Sequence, residues 1–308
     1  MKKRSVITIV LLLLTGCSRT NVPPAPPAGQ LPAPGGLAGY QHGRERSRFS
    51  PGSNIKRVAE FGFVKEVGNT GTFAIDTVNG SALGIPNAST LAATTSSYGA
   101  TGDEHNQFVR TYFLAAGIPA EQVVGVHAAT LLEATGRVGE GGTGKAQVTA
   151  YYSILERAVA DVPVVDSIAW ARVDGQGNVI AEAVYWPAIP AEVLAQVKQF
   201  KEMLAAPEQR KAYEARLPSG AASGRLVIRH ASATIDGPFE AFASYDVRVT
   251  PVRPAPEQAQ AQAGGPRAVQ PQATVIHHFD AAGVERQLPQ ERRNLGHDVP
   301  GDKRAAAK

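Results

Sequence analysis

Apolar and polar positions recur with two different periods along the middle of this chain, and the changes between them divide it into elements. Phe61-Gly62-Phe63-Val64 and Phe73-Ala74-Ile75-Asp76-Thr77-Val78 are short apolar and β-branched runs. Gly68-Asn69-Thr70-Gly71 lies between them, so they are expected to form a hairpin. Residues 79–100, rich in Gly, Ser, Thr and Asn, are expected to be irregular surface structure. At Thr101 the period changes. Thr101-Gly102-Asp103-Glu104 has the spacing of a capping box. Phe108, Tyr112 or Phe113, and Ala116 then follow one helical stripe, and Gly117 and Pro119 supply the stop.

A β-rich block comes next. Val123 to Leu132 suits one strand and Gly136 to Gly144 a loop. Val148 to Ile154 is β-branched and aromatic, which predicts a strand, although Val148, Tyr152, Leu155 and Val159 also fit a helical stripe. Val165, Ile168, Trp170 and Val173 mark a further strand. Asp174-Gly175-Gln176-Gly177-Asn178 turns the chain, and Val179 to Trp186 forms the strand after it. Beyond Pro190 the helical period returns with Val193, Val197, Phe200 and Leu204. Pro207 ends that helix, and Glu208 to Arg216 suits a short one. Leu226 to Ile235 and Phe239 to Val249 then form a hairpin about Asp236-Gly237-Pro238. Phe242, Ser244, Asp246 and Arg248 alternate there with Ala243, Tyr245, Val247 and Val249. The expected fold class is α+β, with an antiparallel sheet of meander and hairpins packed against two or three helices. That folded unit spans residues 54–250.

The ends of the chain have a different composition. Residues 17–53 hold Pro23, Pro24, Pro26, Pro27, Pro32 and Pro34 interrupted by glycines. This is a disordered tether, with a reach of up to about 100 Å if extended at ~3.1 Å per residue. Within it, Arg44, Arg46 and Arg48 beside Glu45 are expected to belong to a solvated linker. Residues 251–308 are first rich in Pro, Gln, Ala and Gly and then polar, which predicts a mostly disordered tail.

The N-terminus carries the strongest signal. Lys2, Lys3 and Arg4 precede the apolar run Val6 to Leu14, which is too short to span a bilayer. Leu14-Thr15-Gly16-Cys17 follows and holds the single cysteine of 308 residues. This stretch resembles the processing site of bacterial lipoproteins. The resemblance implies a signal peptide at 1–16 and cleavage between Gly16 and Cys17. It also implies a diacylglycerol on the Cys17 thiol and an acyl chain such as palmitate on its new amino group. Several chains together anchor stably where one does not. Ser18 follows the cysteine, and the family pattern then implies the outer membrane. Three of the 31 Lys and Arg lie in the leader, which leaves 28 against 27 Asp and Glu. That balance gives no electrostatic case for nucleic acid.

A second resemblance concerns residues 104–189. Tyr152, Val162-Pro163-Val164-Val165 and Ala171-Arg172-Val173-Asp174-Gly175-Gln176-Gly177-Asn178-Val179 are similar to the propeptide domain of thermolysin-type proteases and its PepSY-type relatives. Asp161 stands where that family commonly has Gly. The likeness implies an antiparallel sheet wrapped on a helix and acting as a binding or inhibitory module.

Candidate chemistry is sparse. Gly139-Glu140-Gly141-Gly142-Thr143-Gly144-Lys145 has P-loop spacing, but Ala146 replaces the Mg²⁺-binding hydroxyl and a β-type run follows where a helix is needed. No nucleotide is therefore expected. Asp103, Glu104 and His105 are adjacent, and capping explains the carboxylates. His127 and Glu133 share a strand face. His277-His278-Phe279-Asp280 offers metal-ligand atoms in a tail without a rigid shell. Asp174 to Asn178 lacks the further acidic positions of a Ca²⁺ loop. HExxH and GxSxG motifs are absent. No catalytic residue, metal or cofactor is expected. Tyr185 and Trp186, an aromatic pair ending a strand, are the expected partner-contact surface. The expected function is non-enzymatic: an outer-membrane lipoprotein, held through lipid on Cys17, presenting a domain to an envelope protein or peptide. A hydrolase with an unrecognised site and a structural envelope protein are the alternatives.

Overall fold

The computed structural model describes residues 44–60, 62–94, 96–133, 147–217, 221–232, 237–249 and 275–288. The expected signal peptide with Gly16 and Cys17, most of the expected tether, residues 139–145 and most of the expected tail lie outside the described residues.

The architecture is α+β, with antiparallel sheets packed against helices. The larger sheet begins with β1 (Lys56–Glu60), β2 (Phe63–Val67), β3 (Gly71–Asp76) and β4 (Ala82–Pro86). It continues through β5 (Val123–Glu133), β6 (Gln147–Val159), the two-residue β7 (Val162–Pro163), β8 (Ile168–Val173) and β9 (Val179–Tyr185). Its strand order is β1-β2-β3-β4-β9-β8-β6-β5, with β7 paired to β6. The smaller sheet has the order β10 (Ala221–Ser232), β11 (Phe239–Val249), β12 (Val275–Phe279). One parallel bridge, Val164 to Ile228, joins the two sheets, and the Val165 N–H donates to the Ile228 carbonyl at 3.1 Å.

The helices are α1 (Ala88–Ala93), α2 (Gly102–Ala115), α3 (Ala191–Ala205) and α4 (Pro207–Glu214). The capping box is formed: the Glu104 N–H donates to Thr101 Oγ1 at 3.3 Å, and the Thr101 N–H donates to Glu104 Oε2 at 3.2 Å. At the other end Gly117 takes φ +87°, a left-handed conformation that glycine adopts without strain. Replacing the cap is expected to cost about 1 kcal/mol. Urea unfolding of Thr101→Ala checks this, with a lower midpoint at unchanged slope as the expected result.

Helix α2 lies on one face of the larger sheet and buries His105, Val109, Tyr112 and Phe113. Ala169, Ala171 and Val173 of β8 meet it, while Ile168 and Trp170 point to the opposite face and its own cluster. All six residues of β8 are consequently buried. The same alternation settles the ambiguous stretch at 148–159. Leu155 faces α2 and Tyr152 the opposite cluster, as a strand requires. Helices α3 and α4 cover the smaller sheet through Phe200, Tyr213, Tyr245 and Val247. Among the described residues no helix is long and apolar enough to cross a membrane.

Four stretches differ from the expectation. Residues 79–100 contain β4 and α1, because β4 gains hydrogen bonds from β3 and β9 on both sides. Strand β1, which carries Lys56, Arg57 and Glu60, is held at the sheet edge by β2 alone. Residues 44–53, assigned by composition to the tether, are packed on the domain. In the tail, β12 extends the smaller sheet.

The turn after β6 holds Asp161 at φ +62°. Asp tolerates this left-handed region better than most residues, which accounts for a non-glycine at that position.

Candidate binding site

Glu182 is the single charged residue in the apolar run 179–186, and it is 1% exposed. Strand alternation places it with Val184 and Trp186 on the α2 face. One turn of α2 brings Tyr112 to it, and the phenol donates to Glu182 Oε2. The other oxygen is met by residues 44–53, which we call the strap. Ser47 Oγ donates to Glu182 Oε1, and the Phe49 N–H approaches the same atom at 3.4 Å. The Arg48 N–H donates to the Tyr112 hydroxyl at 2.9 Å. A carboxylate in an apolar layer requires such donors, since an unpaired buried charge costs several kcal/mol.

The strap is tied down at further points. Arg44 lies 3.6 Å from Glu66 and 4.6 Å from the centre of the Phe73 ring. Arg46 donates to the Trp186 carbonyl at 2.8 Å. Phe49, 3% exposed, stacks on Phe73 with ring centres 6.2 Å apart. Its ring covers Gly84, where an added Cβ would lie 2.4 Å from Phe49 Cγ. Glycine is required there because the aromatic ring lies directly on the backbone.

Burial pushes the Glu182 carboxyl above its ordinary value, against the opposing pull of Ser47, Tyr112, the Phe49 amide and Arg44. A raised folded-state value means a stabilising contribution that is full below the ordinary value of about 4.3 and is lost as pH climbs through the folded-state value. Two buried histidines act in the opposite sense. Desolvation lowers His105 to about 4 and His230 to about 3, so each stabilises above about 6.5 and loses that contribution on acidification. Glu182→Gln is therefore expected to remove the alkaline loss and leave the acid limb intact. Melting temperature against pH for both proteins checks this; parallel curves from pH 4 upward would refute the assignment.

Beside Glu182 an open groove of about 570 Å³ runs between the strap, α2, β4 and the start of β9. Phe49, Pro86, Phe108, Tyr112, Val179 and Ile180 form its apolar part, and Thr70, Thr90, Thr111 and Asn178 contribute polar atoms. Three aromatic side chains and a row of hydroxyls on rigid elements suit an extended ligand.

A second polar centre ties the sheets together. Arg229 Nη1 meets Asp166 at 3.0 Å, while its Nε and Nη2 meet Asp246 Oδ2 at 3.0 and 2.7 Å. Ser244 Oγ donates to Asp246 at 2.8 Å, and His278 Nδ1 lies 2.9 Å from it. Burial alone would raise Asp246, but the bonds from His278 and Arg229 and the Arg229 charge outweigh it and hold the carboxyl below its ordinary value. This is a structural junction in which each carboxylate is paired.

Tyr185 and Trp186, expected at a contact surface, are instead core: they are 3% and 2% exposed. Tyr185 packs edge-on to His230 and Phe239, and Trp186 lies under Arg157 and donates to Gln122 Oε1 at 3.1 Å. The reason is that β9 runs between β4 and β8 and is buried on both faces, so its aromatic end has no free side. His105 is buried as well. Its Nε2 accepts from the Val173 N–H at 3.1 Å, so Nδ1 carries the proton toward Ser153 Oγ at 2.6 Å. Ser153 Oγ lies 2.7 Å from Asn106 Oδ1. In that tautomer His105 donates to the serine and is no base for it.

His127 meets Glu156 at 3.2 Å, and the Glu133 side chain lies outside the described residues. His277 and His278 are consecutive in β12 and point to opposite faces, toward Glu285 at 2.7 Å and Asp246 at 2.9 Å. They cannot share a metal. Among the described residues no group of three or more His, Cys, Asp or Glu is placed to hold a metal ion. Asp174 Oδ1 accepts the N–H groups of Gln176 and Asn178 at 2.9 and 2.8 Å, so its side chain serves the turn.

Sequence reasoning missed the strap and Glu182. A usable signal existed: a lone Glu at an inward position of an apolar strand demands donors, and Phe49 is a single aromatic in a polar stretch.

No protein-family model matches the chain, and no curated protein matches it. A crystal structure of an uncharacterized protein from Eubacterium rectale ATCC 33656 is similar, with a TM-score of 0.44 at 11% identity. The alignment covers 82% of this chain and 81% of that one, and at this level nothing about function transfers.

Proposed function

We propose that the mature chain is a lipid-anchored protein of the bacterial envelope, held at the outer membrane through Cys17. Its α+β domain binds an envelope protein or peptide without turning it over. The observation that carries the binding role is the open groove beside the strap. It combines apolar floor and polar rim on rigid elements, while the nearby carboxylate Glu182 is enclosed by its own donors. The same reading keeps the PepSY-type kinship for residues 104–189, supported by α2 lying on an antiparallel meander and by Asp161 in the left-handed position where that family commonly has Gly.

The test is reversible cross-linking of intact envelopes, followed by purification of the full chain and of a Thr111→Trp variant that fills the groove. One stoichiometric partner retained by the wild type and lost in the variant is the expected result. Turnover of a substrate by the purified protein would instead establish the hydrolase. High abundance with no defined partner would establish a structural role.

A further inference from the structure

We propose that the groove takes an extended apolar peptide segment bearing a carboxylate, with Arg48 as the charge partner. This rests on the domain being a binding module and names the chemistry of what it binds.

The strap carries three arginines. Arg44 is committed to Glu66 at 3.6 Å, and Arg46 to the Trp186 carbonyl at 2.8 Å. Arg48 makes no ion pair among the described residues, and its side chain is exposed on the groove wall. Among the described residues it is the one charged residue lining the groove. Its position is not accidental. Its N–H is held by the Tyr112 hydroxyl at 2.9 Å, and its guanidinium carbon lies 5.4 Å from the Tyr112 ring centre. The fork is thereby presented on a fixed backbone, the arrangement that favours bidentate recognition of a carboxylate.

The rim chooses between a peptide and an acyl chain. Thr111 Oγ1 donates its proton to the Gln107 carbonyl at 2.9 Å and keeps lone pairs for an incoming donor. Asn178 gives Nδ2 to Asp174 at 3.0 Å, which leaves its carbonyl oxygen as an acceptor. Both atoms are acceptors, and peptide N–H groups are the donors that would satisfy them. An acyl chain supplies no donor, and in an open trough it would leave methylenes in water. The apolar residues Phe49, Phe108, Val179 and Ile180 match alternate side chains of an extended segment.

The test places a photo-crosslinking amino acid at Thr90, on the groove wall, in the full chain in living cells. The adduct is identified by mass spectrometry. The expected adduct is a peptide with Asp or Glu within a few residues of apolar ones. Its yield should fall about tenfold or more with Arg48→Glu, as loss of a charge-assisted hydrogen bond implies, and fall less with Arg48→Lys, which keeps the charge but not the fork. Exchanging the acidic residue of the partner for Lys should restore binding to Arg48→Glu. Circular dichroism melts of both variants verify folding. An adduct to lipid or to this chain's own tether would overturn the proposal, as would a yield indifferent to Arg48→Glu. A partner captured from envelopes but never at Thr90 would overturn this inference and leave the binding role standing.

Discussion

Phe49→Ala is expected to lower the free energy of unfolding by about 3–5 kcal/mol, the range for emptying a buried aromatic site. The site is poorly able to collapse. Phe49 lies over Gly84 and Gly71, which have no side chains to move inward, and stacks on Phe73, which is fully buried. The ring also holds the strap in register, so that Ser47 and the Phe49 amide reach Glu182. Urea unfolding measures the loss. Hydrogen exchange locates it: the amides of Asn69 and Thr70, bonded to the strap carbonyls of Ser53 and Pro51 at 3.1 and 2.9 Å, should exchange faster. Gly84→Ala should reach the same phenotype by overpacking, since its Cβ would meet the ring at 2.4 Å. A loss under about 1 kcal/mol for Phe49→Ala, with protection unchanged, would show that the strap is only loosely attached.

Cys17→Ser should abolish lipid labelling altogether and leave the precursor with its leader attached. On the proposed lipoprotein reading, a hydroxyl would be no substitute for the thiolate that accepts the diacylglycerol, and cleavage before residue 17 would follow that modification. Metabolic labelling with a fatty-acid probe and the mobility of the protein on a gel report the two steps. With no second cysteine in the chain, residual label could not arise from another thiol. Normal labelling of the variant would overturn the lipobox reading. The groove would remain, but the proposed attachment to the membrane would fall.

The two effects concern opposite ends of one short segment. The tether read from composition runs into the strap at Arg44, and the strap lies on Glu182 and forms the groove wall. The proposed anchor and the candidate site are thus continuous in the chain. A variant that undocks the strap should therefore weaken capture at the groove as well as stability.

Local patterns determined much of the fold. The capping box at Thr101, the apolar stripe of α3, the turn at Gly68 to Gly71 and the turn at Asp174 are each encoded within a few residues, and each is formed. Their hydrogen bonds close over short loops, so neighbours in sequence are sufficient to specify them. Alternation also made β11 legible, with Tyr245 and Val247 on the helix side and Ser244 and Asp246 opposite.

What only the tertiary structure decided is which faces are covered. Alternation along β9 says that Tyr185 and Trp186 point to opposite sides, but not that both sides are closed by layers distant in sequence. An aromatic pair ending a strand therefore looked like surface and is core. The converse holds for the strap. Arginine, serine and glutamate in a row have the composition of a linker, and nothing local reveals that Glu182, well over a hundred residues away, needs their donors. The chain by itself specified most of its elements and its turns, because those depend on local chemistry. The candidate site depends on long-range burial, because a buried carboxylate and its partners are brought together only when the sheet, α2 and the strap close around them.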